Sequence, residues 1–98
     1  MKADVLKPNE YIIVSVDVTG RRPRIYYKVL STHNVKVYLL DSEGVKNFEN
    51  GNEFDTYNDI HSRKYHEDGI LLPDKGTWYL VVDNSTNKEV MVSYEVYI

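Results

Sequence analysis

The sequence predicts an all-β fold: an antiparallel, jelly-roll-like β-sandwich of about seven to nine strands with little or no helix. Its amino-acid vocabulary is one reason. Thirteen valines and six isoleucines stand against a single alanine, Ala3, in 98 residues, and β-branched side chains suit a pleated, half-buried surface whereas alanine fills helices. A second reason is the period-two alternation of apolar and polar residues in run after run. The third is the absence of a helical period between those runs, which argues against a parallel sheet with crossover helices. A chain of 98 residues has interior enough for one core, so residues 1–98 read as a single domain.

Taken in order, Lys7-Pro8-Asn9-Glu10 is a lead-in turn, and Tyr11–Val18 is a strand with Ile12, Val14, Val16 and Val18 on the core face. Gly20-Arg21-Arg22-Pro23 breaks the pattern, and Arg24–Ser31 resumes it with Ile25, Tyr27 and Val29 inward, so the two runs read as a long hairpin with a basic tip. Thr32-His33-Asn34 turns the chain into Val35–Asp41, with Val35, Val37 and Leu39 inward. From Glu43 to Gly69 aliphatic residues almost vanish and Phe48, Phe54, Tyr57 and Tyr65 punctuate a polar background. Asn50-Gly51 in that span is the pair preferred by a type I′ turn, so a short exposed hairpin is expected there.

Gly69-Ile70-Leu71-Leu72-Pro73 returns to the core, and Pro73-Asp74-Lys75-Gly76 turns the chain into Gly76–Asn84, which holds the only tryptophan. In it Trp78, Leu80 and Val82 point between sheets, while Tyr79 and Val81 point the other way. After a turn at Asn84–Lys88 the last run, Glu89–Ile98, puts Val90, Val92, Tyr94, Val96 and Ile98 on one face.

Asn34-Val35-Lys36-Val37-Tyr38-Leu39-Leu40-Asp41, then Phe48, Gly51, Leu72-Pro73 and Gly76-Thr77-Trp78-Tyr79-Leu80-Val81-Val82-Asp83 together resemble a small bacterial β-sandwich family of unknown function. Some of its members are joined to Toll/interleukin-receptor (TIR) domains. The pairing of a Leu-Leu-Asp strand with a later Gly-Thr-Trp-Tyr strand is also similar to the pre-peptidase C-terminal domain and to the Golgi-dynamics type of sandwich, both accessory, non-enzymatic modules. The resemblance implies a sensor or accessory role and carries over no catalytic residue.

Charge and composition narrow the chemistry. A net charge of −3 disfavours general nucleic-acid binding, which needs cations to displace counterions. Without cysteine there is no disulfide framework, thiolate metal site or cysteine nucleophile. The first ten residues lack the apolar core of a signal peptide and no run reaches membrane-spanning length, so no membrane role and a cytoplasmic location are expected.

Candidate sites are few. Arg21, Arg22 and Arg24, with Lys28 behind, form the one dense basic cluster; three guanidiniums can clamp a phosphate or carboxylate, but charged loop tips are usually just solvated. His61 and His66 with Asp59, Glu67 and Asp68 contain metal-ligand types, yet their spacing fits no zinc pattern. Asp41, Glu43, Asp55 and Asp59 likewise lack the spacing of an EF-hand. No Gly-x-Ser-x-Gly elbow accompanies the adjacent His61 and Ser62, and paired carboxylates for sugar hydrolysis would need a cleft a domain this size rarely encloses. Tyr11, Tyr26, Tyr38, Tyr79 and Tyr97 fall opposite the aliphatic face, with Ile13 and Met91, and exposed tyrosines make good low-entropy contacts.

The expectation is therefore a non-catalytic recognition or protein-interaction module, without cofactor or metal, contacting a protein partner or a second copy through Arg21, Arg22, Arg24, Tyr26, Tyr38 and Tyr79. The alternative is a carbohydrate or small-molecule domain with Phe48, Phe54, Tyr57 and Tyr65 around a pocket.

Overall fold

In the computed structural model, which describes residues 1–98, the chain runs β1 (Lys2–Leu6), β2 (Tyr11–Val18), β3 (Arg24–Leu40), α1 (Ser42–Glu49), β4 (Ser62–Leu71), β5 (Gly76–Asp83) and β6 (Val90–Tyr97). The fold is all-β and every ladder is antiparallel. The strands number six rather than about seven to nine, and they form one curled sheet in the order β1-β6-β3-β5-β2, with β4 on the other side of β3.

β3 organises the whole. Its first half lies between β4 and β6, and its second half pairs with β5. Lys36 has Ser62 of β4 on one side and Asp83 of β5 on the other, so β5 and β6 follow one another along the same edge of β3. β2 and β1 follow one another in turn along β5 and β6. A straight strand of 17 residues would span about 56 Å, whereas the longest dimension of the molecule is 41 Å. β3 therefore bends.

The bend falls between Leu30 and Val35, where β3 advances five residues while β4 advances only from Tyr65 to Arg63. Surplus residues in one strand sharpen its twist and turn the sheet over. Side chains hold the corner. Ser31 Oγ donates to the His33 carbonyl at 2.6 Å, Met91 N–H donates to Thr32 Oγ1 at 3.0 Å, and His66 Nε2 meets the carbonyls of Val35 and Arg63 at 2.9 and 3.1 Å. Because carbonyls only accept, that nitrogen must carry the proton.

Doubling over brings the aliphatic faces together. Tyr27 and Val29 of the first half share a cluster with Val35, Val37, Leu80 and Val82 of the second and with Val90 and Val92 of β6. Ile25 and Leu39, from opposite ends of the same strand, pack with Val18, Leu72 and Trp78. Trp78 is buried as expected and its Nε1 donates to the Asp74 carbonyl at 3.0 Å. The inward sets read from β2, β3 and β5 all line this interior; at the chain end Val90 and Val92 are buried, but Ile98 is 57% exposed.

Three local expectations change. Tyr11–Val18 and Arg24–Ser31 are not a hairpin, because the bend in β3 delivers β2 to β5, in a register running from Tyr11 opposite Asp83 to Val18 opposite Gly76. Arg24–Ser31 and Val35–Leu40 are one strand, and Thr32-His33-Asn34 is its corner rather than a turn between two strands. The Glu43–Gly69 span contains α1 and β4 instead of an Asn50-Gly51 hairpin. Asp41 caps the helix start by accepting from Gly44 N–H at 2.7 Å. Asn50 has φ −89° and only Gly51 is left-handed, at +72°. Gly51 N–H bonds the Phe48 carbonyl at 3.2 Å and Asn52 N–H the Asn47 carbonyl at 2.9 Å, the paired bonds of a Schellman helix end.

The Lys7–Glu10 turn is present: Glu10 N–H donates to the Lys7 carbonyl at 3.0 Å and Asn9 takes φ 65°, the pattern of a type II turn with proline second. The residues before it form an additional edge strand, β1.

Candidate functional site

The doubled sheet has two outer faces, and the chain treats them differently. On the half built by β2, β5 and the end of β3, the outward residues are Ile13, Tyr79, Val81, Tyr38 and Leu40, and they lie beneath Val45 and Phe48 of α1 and Phe54 of the following loop. Tyr38 meets Phe54 edge-on at 5.2 Å, Phe48 meets Phe54 at 5.4 Å, and Tyr11 meets Phe48 at 4.8 Å. This is a second, smaller core.

Tyr38 is only 7% exposed, which removes it from the contact residues expected from the sequence. It does sit opposite the aliphatic face, but α1 covers that side. Burial raises its phenol pKa above the ordinary value, and nearby Asp83 adds to the effect. Tyr79 is half-buried at the margin of the same cluster.

On the half built by β1, β6, β4 and the start of β3, nothing covers the outward residues. Val5, Met91, Leu30, Tyr65, Tyr97 and Leu71 are each between 41 and 61% exposed, and the pairings Val5–Met91, Leu30–Tyr65 and Arg24–Leu71 place them on one face. Tyr26 lies among them, half-buried and stacked on Tyr97 with ring centroids 5.5 Å apart and planes 17° from parallel. Its other neighbour is Gly69, directly across on β4, where a Cβ would come within 2.8 Å of the ring. The glycine thus makes room for the tyrosine to lie flat. Charges of both signs interleave, since Lys28 stands between Glu95 and Glu67.

The basic cluster does not converge. Arg24 turns onto the bare face, where its guanidinium stands 6.0 Å from the Tyr26 ring centre and donates to the Tyr26 hydroxyl at 3.2 Å. Arg21 borders a hollow with Gly20, Pro23, Pro73, Asp74 and Lys75, and Arg22 is exposed. The three guanidiniums form no clamp.

The residues weighed as metal ligands also part company. His66 points into the bend and is buried, while Glu67 points out and takes a hydrogen bond from the Tyr65 hydroxyl. Desolvation lowers the pKa of His66 below its ordinary 6.5. No group of three or more histidine, aspartate or glutamate side chains is arranged to hold a metal ion.

Asp41, Glu43, Glu53 and Asp55 border a hollow of about 580 Å³ beside the start of α1, with Phe54 and Tyr57. Asp41 is already engaged, accepting from Gly44 N–H and from the Tyr57 hydroxyl at 3.0 Å. That hydrogen bond is the main reason the Tyr57 pKa is raised. Of the four aromatics expected to wall one pocket, Phe54 and Tyr57 border this hollow; Phe48 packs on Tyr38 and Phe54 instead, and Tyr65 is on the far face.

Two asparagines that sequence reasoning passed over carry much of the polar order. Asn84, fully buried, donates from Nδ2 to the carbonyls of Leu6, Lys7 and Lys88, and its Oδ1 accepts from Thr86. Asn58 accepts from Leu39 N–H at 2.9 Å and donates to the Val37 carbonyl at 2.9 Å, so its carboxamide completes the ladder where β4 has ended. Both lie in turn-like sequence, where asparagine is commonplace and sends no distinguishing signal.

No family model matches the chain, and the curated proteins yield no significant match. No helix is long and apolar enough to cross a membrane.

Proposed function

We propose that the protein is a non-catalytic protein-interaction module whose contact surface is the bare outer face of β1, β6, β4 and the first half of β3. One observation carries this reading: the chain covers one outer face with helix α1 and Phe54, yet leaves Val5, Leu30, Tyr65, Leu71, Met91 and Tyr97 open on the other. Exposed apolar residues gathered on one face, here in two groups on either side of the Glu95-Lys28-Glu67 row, mark an interaction site. Tyr26 and Tyr97 are pre-stacked and lose little freedom on binding, the property that makes tyrosines good anchors.

The partner that fits is a protein presenting apolar side chains on either side of a row of charges of both signs, matching Lys28, Glu67 and Glu95, with a further contact to Arg24 beside Leu71. Arg21, Arg22 and Tyr79 lie off this face and contribute to a partner only at its margin. The doubled sheet serves as a small sandwich of jelly-roll-like character, in keeping with the accessory or sensor role that the resemblance to the TIR-associated family implies, in a bacterial cytoplasm.

Variants Met91→Lys and Tyr97→Ala test the reading. A protein captured by the wild type, then purified, binds both variants at least tenfold more weakly in calorimetry while their circular dichroism is unchanged. Equal binding by all three overturns it.

A further inference from the structure

We propose that the gap between the two halves of the doubled sheet, on the side bordered by β1 and β2, binds a small aliphatic carboxylate. Its chain lies among Val14, Val16, Tyr94 and Val96, and its acid group meets Lys2. β1 and β2 stand at the two ends of the strand order and do not pair with each other, so the interior is open along that side. β1 also stops short: its ladder with β6 begins at Lys2 opposite Tyr94, and Val96 lies beyond it. There a hollow of about 590 Å³ enters between the halves, a size within the range of small-ligand pockets, about 300–1,000 Å³.

Alternation sorts the residues around the hollow. Val14 and Val16 share the inward face of β2 with buried Val18, and Tyr94 and Val96 share that of β6 with buried Val90 and Val92. All four pack against the core clusters yet are only half-buried. Their free sides wall the hollow. Lys2 shares the inward face of β1 with buried Leu6 and stands opposite Tyr94, so an ammonium and a phenol hydroxyl, both donors, lie side by side at the mouth.

The neighbouring acids turn away. Asp17 and Glu95 border the hollow from alternate positions: Asp17 accepts from Thr77 Oγ1 at 2.9 Å on the outer side of β2, and Glu95 stands opposite Lys28 on the bare face. Asp4 follows Lys2 along β1, but its carboxylate takes the Val5 N–H at 2.9 Å. Among the residues lining the hollow, Lys2 is therefore the one charged side chain on the inward side. Apolar walls with a single cation at the mouth suit a chain that ends in an anion, and they penalise the same chain ending in a cation.

The hollow holds none of the exposed apolar residues of the face assigned to a protein partner, so either reading can fail without the other. Decanoate, decanol and decyltrimethylammonium carry the same chain on different heads and serve as probes. In amide-resolved NMR titrations of the full chain, decanoate saturates and shifts the amides of Val14, Val16, Tyr94 and Val96. It binds about fivefold more tightly than decanol, the worth of one exposed charge pair, and more tightly still than decyltrimethylammonium. Lys2 is exposed, so its variants keep the wild-type circular dichroism: Lys2→Arg retains the preference for decanoate, and Lys2→Glu shifts it to decyltrimethylammonium. Met91→Lys binds decanoate as the wild type does. Equal affinity for the three probes, a preference unchanged in Lys2→Glu, or shifts centred on Met91 and Tyr97 overturns the proposal. So does a protein concentration series without probe that moves the same four amides, which would put a second copy in the gap.

Discussion

The side-chain amide of Asn84 donates to the carbonyl of Leu6 at 3.1 Å, tying the exit of β5 to the exit of β1. The same amide reaches Lys7 and Lys88, while the Asn84 backbone exchanges hydrogen bonds with Asn9 and Glu10, both at 2.9 Å. One buried residue therefore holds the two places where paired strands turn the corner together. Asn84→Ala leaves the buried Leu6 carbonyl without its donor, at a cost of about 1–3 kcal/mol, and removes the part-buried bonds to Lys7 and Lys88, so the variant loses about 3 kcal/mol, read as a lowered urea midpoint with an unchanged slope.

Gly51 and Asn50 separate a helix end from a hairpin. In a type I′ turn both would need positive φ, but here only Gly51 does, at +72°. Gly51→Ala costs about 1 kcal/mol, whereas Asn50→Ala stays within about 0.5 kcal/mol of wild type. Thermal denaturation of the pair decides; equal losses would restore the hairpin.

The bend responds to acid through His66. Burial lowers its folded pKa below 6.5, so the neutral ring's contribution is complete above pH 6.5 and is lost as pH falls through the lowered folded value. Stability measured by urea at successive pH values declines on that side. His66→Gln, whose amide can donate in place of Nε2–H, flattens the decline.

Asp83 works in the opposite sense. Desolvation raises its pKa above 3.8, only partly countered by Lys36 across the ladder. Its protonated form is the one the fold prefers, so this contribution is complete below pH 3.8 and is lost as pH rises through the raised folded value. Asp83→Asn is therefore more stable than wild type at pH 7, and the difference closes as pH falls below 3.8. A constant difference across pH would assign the effect to something other than ionisation.

Period-two alternation located most of what faces the interior, because burying one side of a strand leaves a pattern that survives any choice of neighbour. It made Trp78 a core residue and put Tyr26, Tyr38 and Tyr97 on outward faces. It says nothing about which strand pairs with which, so β2 was matched to its successor instead of to β5. Helix α1 was hidden because eight residues give barely two turns, with Gly44 and Val45 poor formers, and only Val45 and Phe48 mark its apolar side. The covering of Tyr38 follows from that helix, and the bareness of the face around Tyr26 from its absence there. Neither is written in the strands themselves.

The pairing of β1 with β6 joins Lys2 to Tyr94 and Leu6 to Val90. During synthesis, the first strand must wait for the last before it has a ladder to enter, and β2 must wait for β5. A topology so dominated by distant partners folds slowly, on the scale of milliseconds to seconds. For that interval, the apolar stripe of β2 is exposed with no mate, and the nascent chain depends on the rapid arrival of its own C-terminal third.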